Sequence, residues 1–402
     1  MAATTTTTYA STIQTRWEKD LLMTADGYLI ADKDANTKVM GKGDGNTVRI
    51  NKILRPANVT TADTAGTLIA PASAKALTSN YIDFNMEIWG DSYAFNEDVD
   101  VQSFVSDKDN MDVIARQMAD SLDYQVMKKL ATEGMRHRID ASVTYQVSGT
   151  VDTTSLNSTT VMYDAARTEA TNFFNGGFLT VTNPGGPNYD VTRQVSDFNA
   201  TTDLTTTAAF NHAPTSSSNY RMTVGTGIAA TDKLSSAGLL AVSALHEAVQ
   251  TEKFNGGVYR AFISPAQHAD LWTDTDFKAS ATYNSEGGAR WKTIQLVRWF
   301  DIEFGITSNI YRETVAGVES STGVVYVSPI YGKNSYTVIR YGNPGGSGKF
   351  AVKFYIVDQP DSQNLRNSAK YMSWKGMWAG GVTRATSCIG LMTGATDQGI
   401  IV

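Results

Sequence analysis

Apolar residues recur every fourth position at Ile114, Met118, Leu122, Val126 and Leu130, with Met111, Ala115 and Ala119 beside them. This is the helical repeat, and it predicts one amphipathic helix over about 110–134 with a single buried stripe. Asp109 or Asn110 is placed to cap its first turn, Asp112 to complement the positive dipole end, Lys128 and Lys129 the negative end, and Gly134 to stop it. A second helix is predicted over 232–254, carrying Leu234, Ala237, Ala241, Leu245 and Ala248 on one side and ending at Gly256 and Gly257. A shorter one is expected near 163–174. Ser264 and Pro265 open another through Leu271 and Trp272, with proline in a first turn where its missing N–H costs nothing.

Elsewhere the pattern has period two. The run 46–54 (NTVRINKIL) alternates apolar with polar and predicts a strand with one wet face, ended by Arg55 and Pro56. After a Thr/Ala-rich stretch, a second extended run is expected around 81–88. Together these read as a long, thin β-excursion with too few apolar residues for a core of its own. From about 141 to 227 the chain turns to Thr, Ser, Asn and Gly with short strands at 178–182 and 220–224, the pattern of a small inserted β-module. Further strands are predicted at 258–263, 302–310, 324–327, 336–341 and 349–357, which makes the class α+β.

Composition narrows the function. The 402 residues are 42% hydrophobic and 18% charged, an ordered chain of two to three domains. Lys and Arg number 34 against 40 Asp and Glu, a net charge of -6 that excludes grip on nucleic acid by bulk charge. The single cysteine, Cys388, excludes an intrachain disulfide and suits a reducing compartment. No secretory signal and no membrane-spanning stretch is visible, and the run Thr4–Thr8 reads as an arm that orders against another surface, or as a frayed end.

The candidate chemistry fails on inspection. The run 342–349 (GNPGGSGK) resembles a phosphate loop but has Asn343 in place of the first Gly and Phe350 in place of Ser or Thr, and a hairpin turn is favoured. As a nucleophile elbow, the stretch from Gly345 fails because Lys349 replaces the second Gly. Asp32, Asp34 and Asn36 have the alternate spacing of a calcium loop, yet Thr37 and Gly43 stand where a Gly and a bidentate Glu belong. His137, His212, His246 and His268 show no helical metal spacing, and Cys388 lacks an electropositive setting. The seven Trp and eighteen Tyr read as core and interface anchors rather than base-stacking platforms. No catalytic residue, cofactor or metal is expected.

The order of elements, rather than any motif, carries a resemblance. An arm, the excursion from Gly45 to Ala70, the helix with Leu122 and Asp123 inside it, the segment 261–271 (AFISPAQHADL) and the segment 299–309 (WFDIEFGITSN) together resemble the major capsid proteins of tailed bacteriophages, the Hong-Kong-97-like coat fold. The resemblance spans about three quarters of the chain. It implies an N-terminal arm at 1–25, an extended E-loop at 26–82, a peripheral domain with a long spine helix at 83–140, an insertion at 141–228, an axial domain at 229–345 and return strands of the peripheral domain at 346–402. It implies a non-enzymatic subunit assembling through pentamers and hexamers into an icosahedral shell around double-stranded DNA bound without sequence specificity. The implied partners are further copies of the chain, a separate scaffolding protein and a portal, with a decoration protein left open; the implied location is the virion, assembled in the host bacterial cytoplasm. Arg49, Lys52 and Arg55 are expected to face Glu97, Asp98 and Asp100 of another copy, with solvation as the alternative. Lys38, Lys42 and Lys52 lie in the loop that some family members crosslink, but no acceptor motif accompanies them, so solubilising charge is expected. The alternatives from other classes are a Thr/Ser/Gly-rich surface adhesion module and, behind it, a hydrolase.

Overall fold

The computed structural model describes residues 29–40, 45–53, 79–96, 107–140, 144–152, 157–182, 189–199, 203–206, 209–214, 216, 218–283, 298–314, 324–341, 352–357 and 369–395. The expected arm, Arg55, Glu97, Asp98, Asp100 and the turn 342–349 lie outside them. The first half of the chain holds β1 (Asn36–Met40), β2 (Thr47–Ile53), β3 (Ser79–Asn85), β4 (Glu87–Asn96), α1 (Asp107–Glu133) and β5 (Met135–Arg138). Six strands follow: β6 (Gln146–Thr150), β7 (Val161–Tyr163), β8 (Phe178–Val181), β9 (Thr192–Phe198), β10 (Asp203–Thr206) and β11 (Asn219–Thr223). Then come α2 (Ser236–Ala248), β12 (Tyr259–Ile263), α3 (Pro265–Leu271), α4 (Thr275–Tyr283), β13 (Arg298–Trp299), β14 (Ile302–Ile306) and β15 (Arg312–Thr314). The last strands are β16 (Val324–Tyr331), β17 (Tyr336–Tyr341), β18 (Val352–Val357), β19 (Ala369–Val382) and β20 (Cys388–Thr393). The mixture is α+β, as the two periodicities require.

The chain divides into two compact units, one of Met1–Val48, Phe84–Val126 and Thr337–Gly381, the other of Arg49–Asp83, Met127–Tyr336 and Val382–Val402. The segments expected at 83–140 and 346–402 therefore each contribute to both. In the first unit a five-stranded sheet runs β1-β17-β19-β18, with β4 antiparallel to β19 from Glu87 opposite Trp378 to Asn96 opposite Ala369. Asn36 and Thr37 lie on β1, in parallel register with Thr337 and Val338, so the alternately spaced acids do not form a calcium loop. Met372, Trp374 and Trp378 are buried on β19.

In the second unit a seven-stranded sheet runs β13-β14-β12-β16-β20-β5, with β15 also paired to β16. Its core gathers Leu239 and Val242 of α2, Leu271 of α3 and Phe277 of α4 against Tyr259, Ile263, Ile302, Ile330 and Ile389. The capping box at Ser264 and Gln267 turns β12 directly into α3, with Pro265 in the first turn as its chemistry predicts. The inserted module is a six-stranded antiparallel sheet, β6-β11-β8-β9-β10-β7. It has its own core around Leu179, Val181, Phe174, Phe198, Tyr220 and Met222.

Three expectations are corrected. Helix α1 begins at Asp107, so Asp109 and Asn110 lie inside it rather than capping it. Helix α2 is shorter than 232–254 and buries Leu239, Val242, Ser243 and His246, leaving Ala237, Ala241 and Ala248 exposed, because the larger side chains on the adjacent face remove more apolar area from water. No helix forms at 163–174, where the Asp164 carboxylate accepts from the Ala166 amide and Asn172 takes a left-handed φ of 66°, both incompatible with a continuing helix.

The predicted stripe of α1 is buried along its length, with Ile114, Met118, Leu122, Val126 and Leu130 at most 7% exposed. Asp123, Met127 and Ala131 widen it. The helix ends before Gly134, where a Cβ would stand 2.6 Å from the Cys388 carbonyl oxygen, so the close approach to β20 requires glycine. Replacing Met118 and Leu122 together by Asp places two carboxylates on this stripe and is expected to abolish soluble protein. Soluble yield and far-UV circular dichroism check this, and normal values would sink the assignment.

Candidate functional site

Strands β2 and β3 form a separate two-stranded ribbon. A two-stranded ribbon is marginal by itself, so side-chain pairs across it and contacts with neighbouring elements contribute to holding it. Arg49 crosses to Asp83 in a two-pronged pair, Nε and Nη2 each 2.7 Å from a carboxylate oxygen, and its guanidinium lies 3.9 Å from the centre of the Tyr81 ring. The Thr47 hydroxyl donates to Asn85 Oδ1 at 2.8 Å. The arginine holds the Asp83 carboxyl below the usual carboxylate range. Arg49 itself is 56% exposed.

Lys52 is different. Its side chain is 9% exposed, and Nζ stands 3.0 Å from Asp190 Oδ2, with the Tyr189 and Asp190 carbonyls at 3.3 and 3.5 Å. Burial pushes the Lys52 pKa down, the Asp190 carboxylate opposes that, and Arg384 adds to it. Asp190 has a left-handed φ of 67°, which Asp tolerates better than most residues. Its Oδ1 accepts from the Thr386 amide at 2.8 Å and from the Thr386 hydroxyl, while its own amide donates to the Val181 carbonyl at 3.0 Å. On the other strand, Asn211 Nδ2 donates to the Tyr81 carbonyl at 2.6 Å. Arg49 and Lys52 both have acidic partners within their own chain, Asp83 and Asp190.

A second buried carboxylate sits on α1. Asp123, 2% exposed, accepts from the Ile30 and Ala31 amides at 2.9 and 3.1 Å, and so fixes where the chain enters its first described turn. Burial pushes its carboxyl up to about 6 against those two donors.

Strand β5 carries three polar residues into the interior. Arg136 pairs two-pronged with Glu313, both contacts at 2.7 Å, donates to the Ala131 carbonyl and lies 3.5 Å from the Phe178 ring centre. Arg138 pairs with Asp140 and donates to the Val224 and Thr226 carbonyls. Between them, His137 Nδ1 receives the Arg221 guanidinium at 2.5 Å, so the imidazole is neutral; burial and then Arg221 pull its pKa down to about 4. His246, stacked on Tyr259, contacts the Ile330 carbonyl through Nε2 at 3.1 Å and Thr251 through Nδ1 at 3.2 Å. Burial takes it to about 4 as well. His268 is partly buried against Trp272, which lowers its pKa, and His212 is exposed. The Cys388 thiol is buried, and burial pushes its pKa up, which makes it a poor nucleophile.

Among the described residues no group of three His, Cys, Asp or Glu side chains is placed to hold a metal ion, and no helix is long and apolar enough to cross a membrane. Sequence reasoning missed Asp83, Asp190 and Asn211. Asp83 follows from ribbon register once the strands are paired, whereas nothing local marks Asp190 or Asn211.

No family model and no curated protein matches the chain. Solved structures do. The capsid of Ralstonia phage GP4 superposes with a TM-score of 0.52 at 12% identity, covering 92% of this chain and 90% of that one. The capsid asymmetric unit of cyanophage Pam1 gives 0.51 at 11%, covering 92% of each chain. The chain has the fold of tailed-phage major capsid proteins.

The buried titratable groups predict opposite pH responses. His137 and His246, lowered from 6.5, contribute stability that is present above pH 6.5 and lost as the pH falls towards 4. Each should forfeit about 2 kcal/mol by pH 5. Asp123, raised from 3.8, contributes stability that is present below 3.8 and lost as the pH rises through 6, so it regains about 1 kcal/mol over the same interval. Urea titrations at pH 7.5 and 5 should show net weakening at pH 5, and His246→Gln should flatten the slope; an unchanged slope would contradict the neutral buried imidazole.

Proposed function

We propose that this chain is the major capsid protein of a tailed bacteriophage, assembling through pentamers and hexamers into a closed shell around double-stranded DNA. The observation that carries the reading is a superposition covering nine tenths of two phage capsid chains. A two-stranded ribbon, marginal by itself, supports it, since such an element gains stability by packing on a neighbouring subunit, where folding and association share one free energy. In this reading the ribbon is the root of the E-loop and α1 is the spine helix. The net charge of -6 suits a container whose wall must let packaged DNA slide. The role is structural rather than catalytic. A scaffolding protein and a portal are its expected partners, and the virion, assembled in the host bacterial cytoplasm, its expected location.

Negative-stain electron microscopy of the purified chain, alone and co-expressed with a neighbouring scaffolding gene, tests this directly. Closed particles or capsomer rings are expected, and monodisperse monomers under both conditions would refute it. Deleting 46–70 should leave soluble, unassembled protein; particles of normal size from that deletion would refute the assembly role of the ribbon.

A further inference from the structure

We propose that the inserted β-module is an internal brace that sets the direction of the β2–β3 ribbon, with Lys52, Asp190 and Asn211 as its positioning residues. The chain passes out of the first compact unit after Val48 and returns to it at Phe84, and the described ribbon residues 49–53 and 79–83 belong to the unit that contains the module. Among the described residues the ribbon is held there by a contact on each strand. Lys52 of β2 reaches Asp190 at the β8–β9 turn, and the Tyr81 carbonyl of β3 receives Asn211 from the segment after β10. One tether would let a ribbon swivel about it, whereas two on separate strands fix its plane.

The chemistry of the first tether favours positioning over simple stability. Burying a lysine immobilises a long side chain, and an apolar pair would avoid both that and the desolvation. Asp190 is in turn fixed by Thr386 and by the Val181 carbonyl, so the anchor does not move with the ribbon. The brace is a property of the single subunit; its effect on shells rests on the capsid reading above.

The test places spin labels on Asn51→Cys and Asp197→Cys, two exposed sites on the ribbon and the module, in the full-length chain. Cys388 is buried and stays unlabelled. Electron–electron double resonance should give one narrow distance in the parent protein. Adding Lys52→Met and Asn211→Ala should at least double the width, and restoring charge with Lys52→Arg in place of Met should narrow it again. A width equal to the parent in the double variant would overturn the brace. If that variant does not fold, Asn211→Ala alone removes one hydrogen bond, and amide exchange at Tyr81 and Ile82 should accelerate about fivefold; unchanged exchange would overturn the second tether. Micrographs of the same samples separate the two readings, since a broadened ribbon in a protein whose parent never forms particles sustains the brace and refutes the capsid.

Discussion

A carboxylate taken out of water has to be given donors, and Asp190 finds them in segments far apart in the chain: Lys52 of the ribbon and Thr386 between the last two strands. Its backbone joins the exchange, donating to Val181 and accepting from Ala385. Burial makes these bonds matter more than surface pairs would, because leaving the charge unpartnered costs several kcal/mol. The module, the ribbon and the turn before β20 therefore share one arrangement. Arg49 and Asp83, on the exposed part of the ribbon, supply register but little energy.

The same logic recurs on β5. Met135–Arg138 is buried at all four positions, although three of its residues are polar. Each guanidinium is matched by a carboxylate and at least one backbone carbonyl, and the imidazole between them stays neutral to receive a third guanidinium. A strand this polar survives inside because it is fully partnered, and the module supplies part of the set through Phe178, Arg221 and Val224. The inserted sheet is therefore tied to the seven-stranded sheet by directional bonds as well as by apolar contact.

Much of this architecture is legible in the sequence. The fourfold spacing from Ile114 to Leu130, the alternation over 46–54 and the Ser264–Pro265 opening are local signals, and each became the expected element because local preference and burial agree there. The α2 stripe was misplaced because alanines satisfy the helical period as well as leucine and valine do while burying less area. The turn at 163–174 hid behind apolar residues whose burial comes from ring-on-ring packing of Phe173, Phe174 and Phe198 rather than from a helix. Of the candidate contact residues, Arg49 and Lys52 were recognisable as ribbon cations, but their partners were not. Asp190 is brought to Lys52 by topology alone, and no spacing rule encodes a contact between segments so distant in the chain.

The seven-stranded sheet has one further consequence, in time rather than space. Strand β20 lies between β16 and β5, in parallel register with β5 from Ile389 opposite Met135, and antiparallel to β16. A ribosome making this chain releases β5 about 250 residues before β20 and β16 only shortly before it, so β5 waits through the synthesis of the segments between for the strand that joins it to the sheet. Closing so long a loop is slow, and it cannot begin before the strand exists. Translation therefore delays completion of the main sheet until nearly every other element, including the self-contained inserted module with its own core, has already emerged.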